Sequence, residues 1–249
     1  MKNIETIFLG TNGWYDTKTG NTVCVLLKTA REYIIFDAGN GFYKIDNYIK
    51  DNKPVYLFLS HYHLDHVIGL HVLNKFHFSQ GLNVYGPPGL RMLFKKVINK
   101  PYTIPITDLP TKLRLHEISG GTILPKGMSY APLKHSELCY GYRFCSGGKI
   151  VAYCTDTGTC DNLFLLARNT DLLIAECSFK KGLKNEAWGH LNPESAANVA
   201  KKSGTRSLAL VHFDAGLYLD SKDRVEAGKQ ARKIFKHTFV SRDNLKVRV

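Results

Sequence analysis

Three histidines and one aspartate fall within six residues of this chain, directly after an apolar run. The cluster lies in Ser60 to His66, and the run before it, Val55 to Leu59, is typical of a buried strand. Imidazole and carboxylate are ligands that suit zinc and its first-row neighbours. At the end of an extended strand, His61 and His63 point to the same side. A helix that begins beyond them would present Asp65 and His66 to a second metal position nearby. The segment therefore predicts ligands for two metal ions, namely His61, His63, Asp65 and His66. The alternative is a histidine-rich loop that binds nothing.

The size and charge of the chain limit the classes of protein it can belong to. Its 249 residues, 44% of them hydrophobic, are enough for a substantial core, and we expect a single domain over residues 1–249. The formal charge of +13 favours anionic partners such as nucleic acid or phosphorylated metabolites. No apolar run approaches membrane-spanning length and the first residues lack a signal core, so we expect a cytoplasmic protein without membrane contact.

Other short apolar strands also end in a histidine or an acid. This pattern places polar groups along one edge of packed sheets, with helices on the outer faces. Taken singly, each of these residues could instead be a capped strand end or a core histidine. Asp37, which precedes glycines, either supports a ligand histidine or caps a helix. The remaining strand-end residues are His135, Asp156, Glu176 and His212.

Spacing also predicts several elements around these strand ends. Apolar residues recur at helical spacing over 67–76, and a second helix is expected over 221–236. In the second helix we expect Val225, Gly228, Ala231 and Phe235 to face the core. Between the strand ends at 135 and 156, glycines at 147 and 148 predict a hairpin.

The candidate ligands divide into two groups of three with one acid between them. Two metal ions held in this way would activate a water molecule and clamp a phosphoryl or acyl oxygen. One group is His61, His63 and His135, the other is Asp65, His66 and His212, and the available bridging acid is Asp156.

The ordered pattern of His61-x-His63-x-Asp65-His66, followed by His135, Asp156 and His212, resembles the metallo-β-lactamase superfamily. The resemblance covers nearly the whole chain. It implies an α/β fold, a four-layer αββα sandwich of two mixed sheets, with a dinuclear site at one edge. It also implies the two ligand groups above with Asp156 as the bridge, and Asp37 as the residue that orients a ligand histidine. The expected cofactors are two divalent ions, Zn²⁺ in the first place and Mn²⁺ as an alternative.

Within that superfamily the chain is most similar to the ribonuclease Z group and its phosphodiesterase relatives. The similarity lies in an aspartate at the bridging position, in His135-Ser136, and in Glu176 with His190. In ribonuclease Z a histidine steered by a glutamate is thought to donate a proton to the leaving oxygen, so the resemblance implies that role for His190. The catalytic residues are thus expected to be Asp65, His190 and Glu176.

Two departures from ribonuclease Z bear on the substrate. That group usually carries a long tRNA-binding arm between the positions of His135 and Asp156, where this chain predicts a plain hairpin. The motif at His190 continues with Leu-Asn, where Thr or Ser is common at the third place. The leading hypothesis is therefore a phosphodiesterase for a small anionic diester: a cyclic nucleotide, a cyclic sugar phosphate or a short oligonucleotide.

Three alternatives to the small-diester hypothesis remain open. The first is a ribonuclease Z-like tRNA 3′-end endonuclease, which the positive charge supports. The second is a carboxylic or sulfate ester hydrolase using the same site. The third is a nucleic-acid-binding protein without catalysis. By analogy with the ribonuclease Z group, a homodimer is also expected.

Overall fold

The computed structural model describes residues 3–183 and 188–249, and most of its strands belong to two large sheets. The strands in chain order are β1 (Glu5–Gly10), β2 (Asn12–Gly13), β3 (Cys24–Lys28), β4 (Tyr33–Phe36), β5 (Val55–Phe58), β6 (Leu82–Gly86), β7 (Leu113–Glu117), β8 (Met128–Leu133), β9 (Cys139–Ser146), β10 (Lys149–Cys154), β11 (Leu172–Glu176), β12 (Leu208–Val211), β13 (Phe213–Asp214), β14 (Thr238–Val240) and β15 (Leu245–Arg248).

The parallel strands of each sheet end at a shared edge. The first sheet has the order β15-β1-β3-β4-β5-β6-β7, and the second has the order β14-β12-β11-β10-β9-β8. In the first, β4 to β7 are parallel neighbours, and in the second β10, β11, β12 and β14 are. Because parallel strands bring their carboxyl ends to one edge, the polar residues that follow them are collected there. The two short strands β2 and β13 pair with each other.

Helices lie beside the sheets, and some of them are 3₁₀ in geometry. The α-helices are α1 (Leu64–Val67), α2 (Leu90–Lys96), α3 (Asp161–Ala167), α4 (Pro193–Lys202) and α5 (Ser221–Arg232), and the 3₁₀ helices span Asn40–Asn47, Ile68–Lys75 and Ile106–Asp108. None of the helices in the described ranges is both long and apolar enough to cross a membrane.

Each central strand is buried on both faces, which explains its continuous apolar sequence. In β4, Ile34 and Phe36 pack into a core between the two sheets, whereas Tyr33 and Ile35 pack against the outer helices of the first sheet. A third cluster lies between the second sheet and helices α3, α4 and α5. Three hydrophobic layers between four layers of structure confirm the predicted αββα sandwich.

The helix predicted over 67–76 is right in its burial but wrong in its geometry. Val67, Leu70 and Leu73 are buried as expected, yet the segment is the α1 turn followed by a 3₁₀ helix. The amide of Gly69 donates to the carbonyl of Ala38 at 2.8 Å instead of continuing an α-helix. A Cβ on Gly69 would lie 2.2 Å from the carbonyl oxygen of Gly39, so only glycine allows this close approach.

The inward face predicted for the last helix is partly wrong. The helix ends at Arg232, and Val225 is 49% exposed, although Gly228 and Ala231 are buried as expected. Arg224 is turned inward because its guanidinium donates to side-chain oxygens of the loop after β1. Its partners are Thr11 Oγ1 at 3.0 Å, Thr19 Oγ1 at 2.8 Å and the Asn12 side chain.

The core between the sheets makes a direct prediction about stability. Phe144 on β9 is fully buried there, so Phe144→Ala should lower the free energy of unfolding by about 3–5 kcal/mol, through lost transfer energy and the cavity left behind. Chemical denaturation measures this change. Tyr102→Ala, at an aromatic that is 73% exposed, is the control and should change stability by less than about 0.5 kcal/mol. Equal effects of the two substitutions would contradict this packing.

Candidate metal centre

Seven side chains meet at the edge where the strands end. They form two adjacent groups, and within each group the potential ligand atoms lie within 4.8 Å of one another. The first group is His61, His63, His135 and Asp156, and the second is Asp65, His66 and His212. The structure thus brings together every residue that the sequence predicted as a metal ligand; the binding of metal by them stays a prediction.

The carboxylate of Asp156 lies between the two groups. Its Oδ2 is 3.6 Å from His61 Nε2 and 3.8 Å from His135 Nε2. Its Oδ1 is 3.4 Å from His66 Nε2 and 3.1 Å from His212 Nε2. One oxygen faces each group, which is the arrangement that a bridging ligand requires.

Sharp backbone turns direct several of these side chains into the site. Asp37, Asp156 and His212 follow β4, β10 and β12, and their φ values are 56°, 50° and 55°. This left-handed region is unfavourable for residues other than glycine and persists only where the surroundings enforce it. The turns let a strand end at the edge of the sheet and still point its next polar side chain at the centre.

A buried carboxylate holds two of the histidine rings in place. His66 Nδ1 is 2.8 Å from Asp37 Oδ2, and the hydroxyl groups of Tyr153 and Ser60 donate to the same oxygen at 2.7 and 2.9 Å. Because the Ser60 hydroxyl hydrogen is used in this way, its oxygen accepts from His61 Nδ1 at 3.0 Å. Asp37 therefore lies where the sequence predicted it, against a candidate ligand histidine.

The other two buried rings are oriented by partners that the sequence did not reveal. The Ser178 hydroxyl donates to the His212 carbonyl at 3.0 Å and accepts from His212 Nδ1 at 2.9 Å. His135 Nδ1 donates to the carbonyl of Trp188 at 2.8 Å. In this network four rings direct Nδ1 to a hydrogen-bond partner and Nε2 to the centre.

The charges of the carboxylates and imidazoles in the two groups balance one another. Burial opposes ionisation of Asp156, but His212 and His66 hold the pKa of its carboxyl well below the usual range. Burial likewise opposes charge on His66, but Asp156 and Asp65 raise its pKa well above that of free imidazole. For His61, burial and the neighbouring His66 lower the pKa, so its ring is neutral. The carboxylates thus favour positive charge at the centre, and His61 offers the neutral imidazole that a metal needs.

The arrangement of the donor atoms suits bound metal ions, because several nitrogen atoms lack good hydrogen-bond partners within the cluster. His61 Nε2 is buried and has no hydrogen-bond partner among the described residues. The Nε2 atoms of His66 and His212 lie 3.1 Å apart and point at the same space. A buried polar atom without a partner is costly, and cations at these points would satisfy all three nitrogens. The mixture of nitrogen and oxygen donors suits zinc and its neighbours.

The predicted Glu–His pair lies beside the cluster. Glu176, at the end of β11, is fully buried, and its Oε1 is 2.8 Å from His190 Nδ1. The same carboxylate accepts from the amides of Thr157 and Ser178. Burial alone would lower the pKa of His190, but the adjacent Glu176 carboxylate outweighs it and raises the pKa to about 9. The pair therefore holds a protonated imidazolium at the edge of the cleft.

The cleft above the cluster is lined by apolar and acidic side chains. It has a volume of about 720 Å³, and among the described residues none that lines it is a lysine or arginine. Beyond the ligands and His190, the larger side chains in its walls are Trp14, Tyr15, Leu64, Ile68, Phe179 and Trp188.

Comparison with known proteins identifies the class that this fold and site define. The family described as the beta-lactamase superfamily domain matches residues 32–213. The match covers most of the chain, so the protein belongs to the metallo-β-lactamase superfamily. Its fold is that of the metal-dependent hydrolases in this superfamily.

Within the superfamily the chain is similar to ribonuclease Z. It is 28% identical to "Ribonuclease Z" from Bacillus velezensis over 311 aligned positions, covering 99% of each chain. Among solved structures it is similar to the metallo-beta-lactamase fold protein YhfI from Bacillus subtilis, at 23% identity and a TM-score of 0.83 over 99% of each chain. It is also similar to the short form of human tRNase Z, at 21% identity and a TM-score of 0.77 over 98% of each chain.

The ligand assignment predicts the metal content of two variants. The parent protein should hold about two divalent ions per chain by elemental analysis. Asp156→Ala should hold about one or fewer, because Asp156 faces both groups. Asp161→Ala removes an exposed acid at the start of α3 and should leave the metal content unchanged. A full complement of metal in Asp156→Ala would contradict the bridging role.

Proposed function

We propose that this protein is a metal-dependent endoribonuclease of the ribonuclease Z type, which hydrolyses a phosphodiester bond near the 3′ end of an RNA. The observation that carries the proposal is the Glu176–His190 pair beside the seven-residue cluster. The full-length similarity to proteins named ribonuclease Z supports it. The sequence alone favoured a small diester as the substrate and gave RNA as the alternative; the proposal reverses that preference.

The chain's own residues supply positioning and a proton. Metal ions bound by the cluster would act as Lewis acids and lower the pKa of a water molecule. His190 faces the same cleft, and its Nδ1 is fixed by Glu176, which leaves Nε2 to donate a proton to the departing oxygen. Because the pKa of His190 is raised, the ring carries that proton at neutral pH. Asp65, a member of the second group, would hold one of these metal ions at the reaction centre.

One structural feature favours a small phosphodiester as a second candidate function. Between His135 and Asp156 the chain forms only the β9–β10 hairpin, which turns at Gly147 and Gly148. The alignment to ribonuclease Z spans 311 positions, whereas this chain has 249 residues, so about 60 aligned positions have no residue here. With a cleft that also lacks lysine and arginine among its described residues, binding of a large RNA would need other surfaces.

Two substrates separate these candidates. One is a tRNA precursor with a 3′ trailer, and the other is a 2′,3′-cyclic nucleotide. The proposal predicts one endonucleolytic cut in the precursor, with kcat/KM well above that for the cyclic nucleotide. Asp156→Ala is the control that should abolish both activities. Cleavage of the cyclic nucleotide alone would contradict the proposal in favour of the second candidate.

The proton-donor role of His190 predicts a dependence on the leaving group. His190→Ala should slow cleavage of RNA, whose leaving group is an alkoxide, by about 10²- to 10⁴-fold. The same variant should lose far less activity on bis(p-nitrophenyl) phosphate, because nitrophenolate departs without a proton.

The controls for this prediction are another histidine and the metal content. His71→Ala, at an exposed ring, should leave both rates unchanged. The metal content of His190→Ala should equal that of the parent. Equal losses of His190→Ala on the two substrates would show that His190 acts on binding or structure and not on the leaving group.

A further inference from the structure

Both tryptophans of the chain are exposed at the cleft of the candidate metal centre. The sequence contains two tryptophans, Trp14 and Trp188, and both line this cleft. Their exposed fractions are 68% and 51%. Large exposed aromatic side chains beside a reactive centre are available to bind a flat ligand group.

Trp14 is fixed relative to the second ligand group. Its backbone N–H donates to Asp65 Oδ2 at 2.7 Å, and its φ of 73° holds it in the left-handed region. The preceding Gly13 passes so close to His212 that an added Cβ would lie 2.5 Å from that ring. On the other side, an added Cβ on Gly216 would lie 3.3 Å from the indole of Trp14, so the backbone supports the ring.

Trp188 is fixed in the same manner relative to the first ligand group. Its carbonyl accepts from His135 Nδ1 at 2.8 Å, and its indole centre is 6.2 Å from the ring of His63. Each tryptophan thus contacts a different ligand group through its backbone, and more than half of its side chain remains exposed in the cleft. A ligand held at the metal centre would have one indole toward each end of the cleft.

The cleft offers few other means of holding the groups that flank a phosphate. None of its described lining residues is a lysine or arginine, whereas two large exposed aromatic side chains are present. Aromatic stacking can hold a nucleobase of any sequence, because every base has a π face.

We propose that Trp14 and Trp188 are stacking surfaces for the nucleobases on either side of the scissile phosphate. This inference rests on the proposed function and narrows its substrate class to diesters that carry a base. The two residues determine specificity and position the substrate, and the reacting atoms are not in contact with them.

Fluorescence tests base binding without relying on catalysis. Because the chain has no other tryptophans, its tryptophan emission, excited at a wavelength that tyrosine does not absorb, reports on this cleft alone. The zinc-loaded protein would be titrated with adenosine 5′-monophosphate and, in parallel, with ribose 5-phosphate, which has the same phosphate and sugar without a base. We expect saturable quenching by the first compound only. Equal responses to the two compounds, or no response to either, would overturn the proposal.

Kinetics with two esters that share a leaving group test the role in substrate selection. Thymidine 5′-(p-nitrophenyl phosphate) carries a base, and methyl p-nitrophenyl phosphate does not. Because both esters share the nitrophenyl ring, which can itself stack, the base-specific loss is expected only at the tryptophan that faces the thymine. At that position Trp14→Leu or Trp188→Leu should lower kcat/KM for the thymidine ester by about ten-fold, mainly through KM. The same variant should keep the parent's kcat/KM for the methyl ester, and Trp→Phe at that position should recover most of the loss.

Three outcomes of these experiments are decisive. Because the contacts to Asp65 and His135 are made by backbone atoms, the Leu variants should keep the parent's metal content. Parallel losses on the two esters in both the Trp14 and the Trp188 variant would indicate a structural role and overturn the proposal, with Tyr102→Leu as the control for an exposed aromatic outside the cleft. Absence of any diesterase activity, with base-dependent quenching intact, would overturn the proposed function and support the stacking surfaces.

Discussion

The carboxylate of Asp37 is the interaction on which the rest of the site depends. It is fully buried and accepts hydrogen bonds from the Ser60 amide and hydroxyl, the Tyr153 hydroxyl and His66 Nδ1. A charge at zero exposure is stable only when its hydrogen-bonding capacity is met in this way. These partners come from both sheets, so the carboxylate joins the two halves of the sandwich at the edge where the ligands lie.

Aromatic packing behind Asp37 makes this edge rigid. The ring of Phe36 stacks on Tyr153 at 4.9 Å with an interplanar angle of 3°, across the space between the sheets. Tyr142 lies 5.9 Å from Phe36 on the same side and donates its hydroxyl to the Leu59 carbonyl at 2.6 Å. That carbonyl belongs to the segment entering the histidine cluster. The positions of the metal-facing nitrogens are thus set by core packing, which is the support that a precise site needs.

The candidate ligands could be predicted from the sequence because their pattern is local or periodic. His61 and His63 follow an apolar strand, and Asp156 and His212 also come directly after buried runs. Parallel strands necessarily bring such residues to one edge. Tyr153 and Ser178 could not be found in this way, since one is an ordinary strand tyrosine and the other a serine in the loop after β11. The role of Tyr153 exists only after the two sheets have packed, and that of Ser178 only after β11 and β12 have paired.

One other expectation failed for reasons of tertiary structure. Helical spacing placed Val225 inward, but the segment around Thr11 provides acceptors that draw Arg224 inside instead. The net charge of +13 favours anionic partners but does not locate the basic residues, and none of the described residues that line the cleft is a lysine or arginine. Total charge is a property of the whole surface, and it does not indicate where on that surface the charges lie.

Anomalous X-ray diffraction from crystals of the zinc-loaded protein is the most direct test of the central claim, that two ligand groups share Asp156. The account predicts two anomalous peaks. One should be bound by His61, His63 and His135, the other by Asp65, His66 and His212, with one Asp156 oxygen directed at each. A single peak, or two peaks with Asp156 bound to neither, would contradict it.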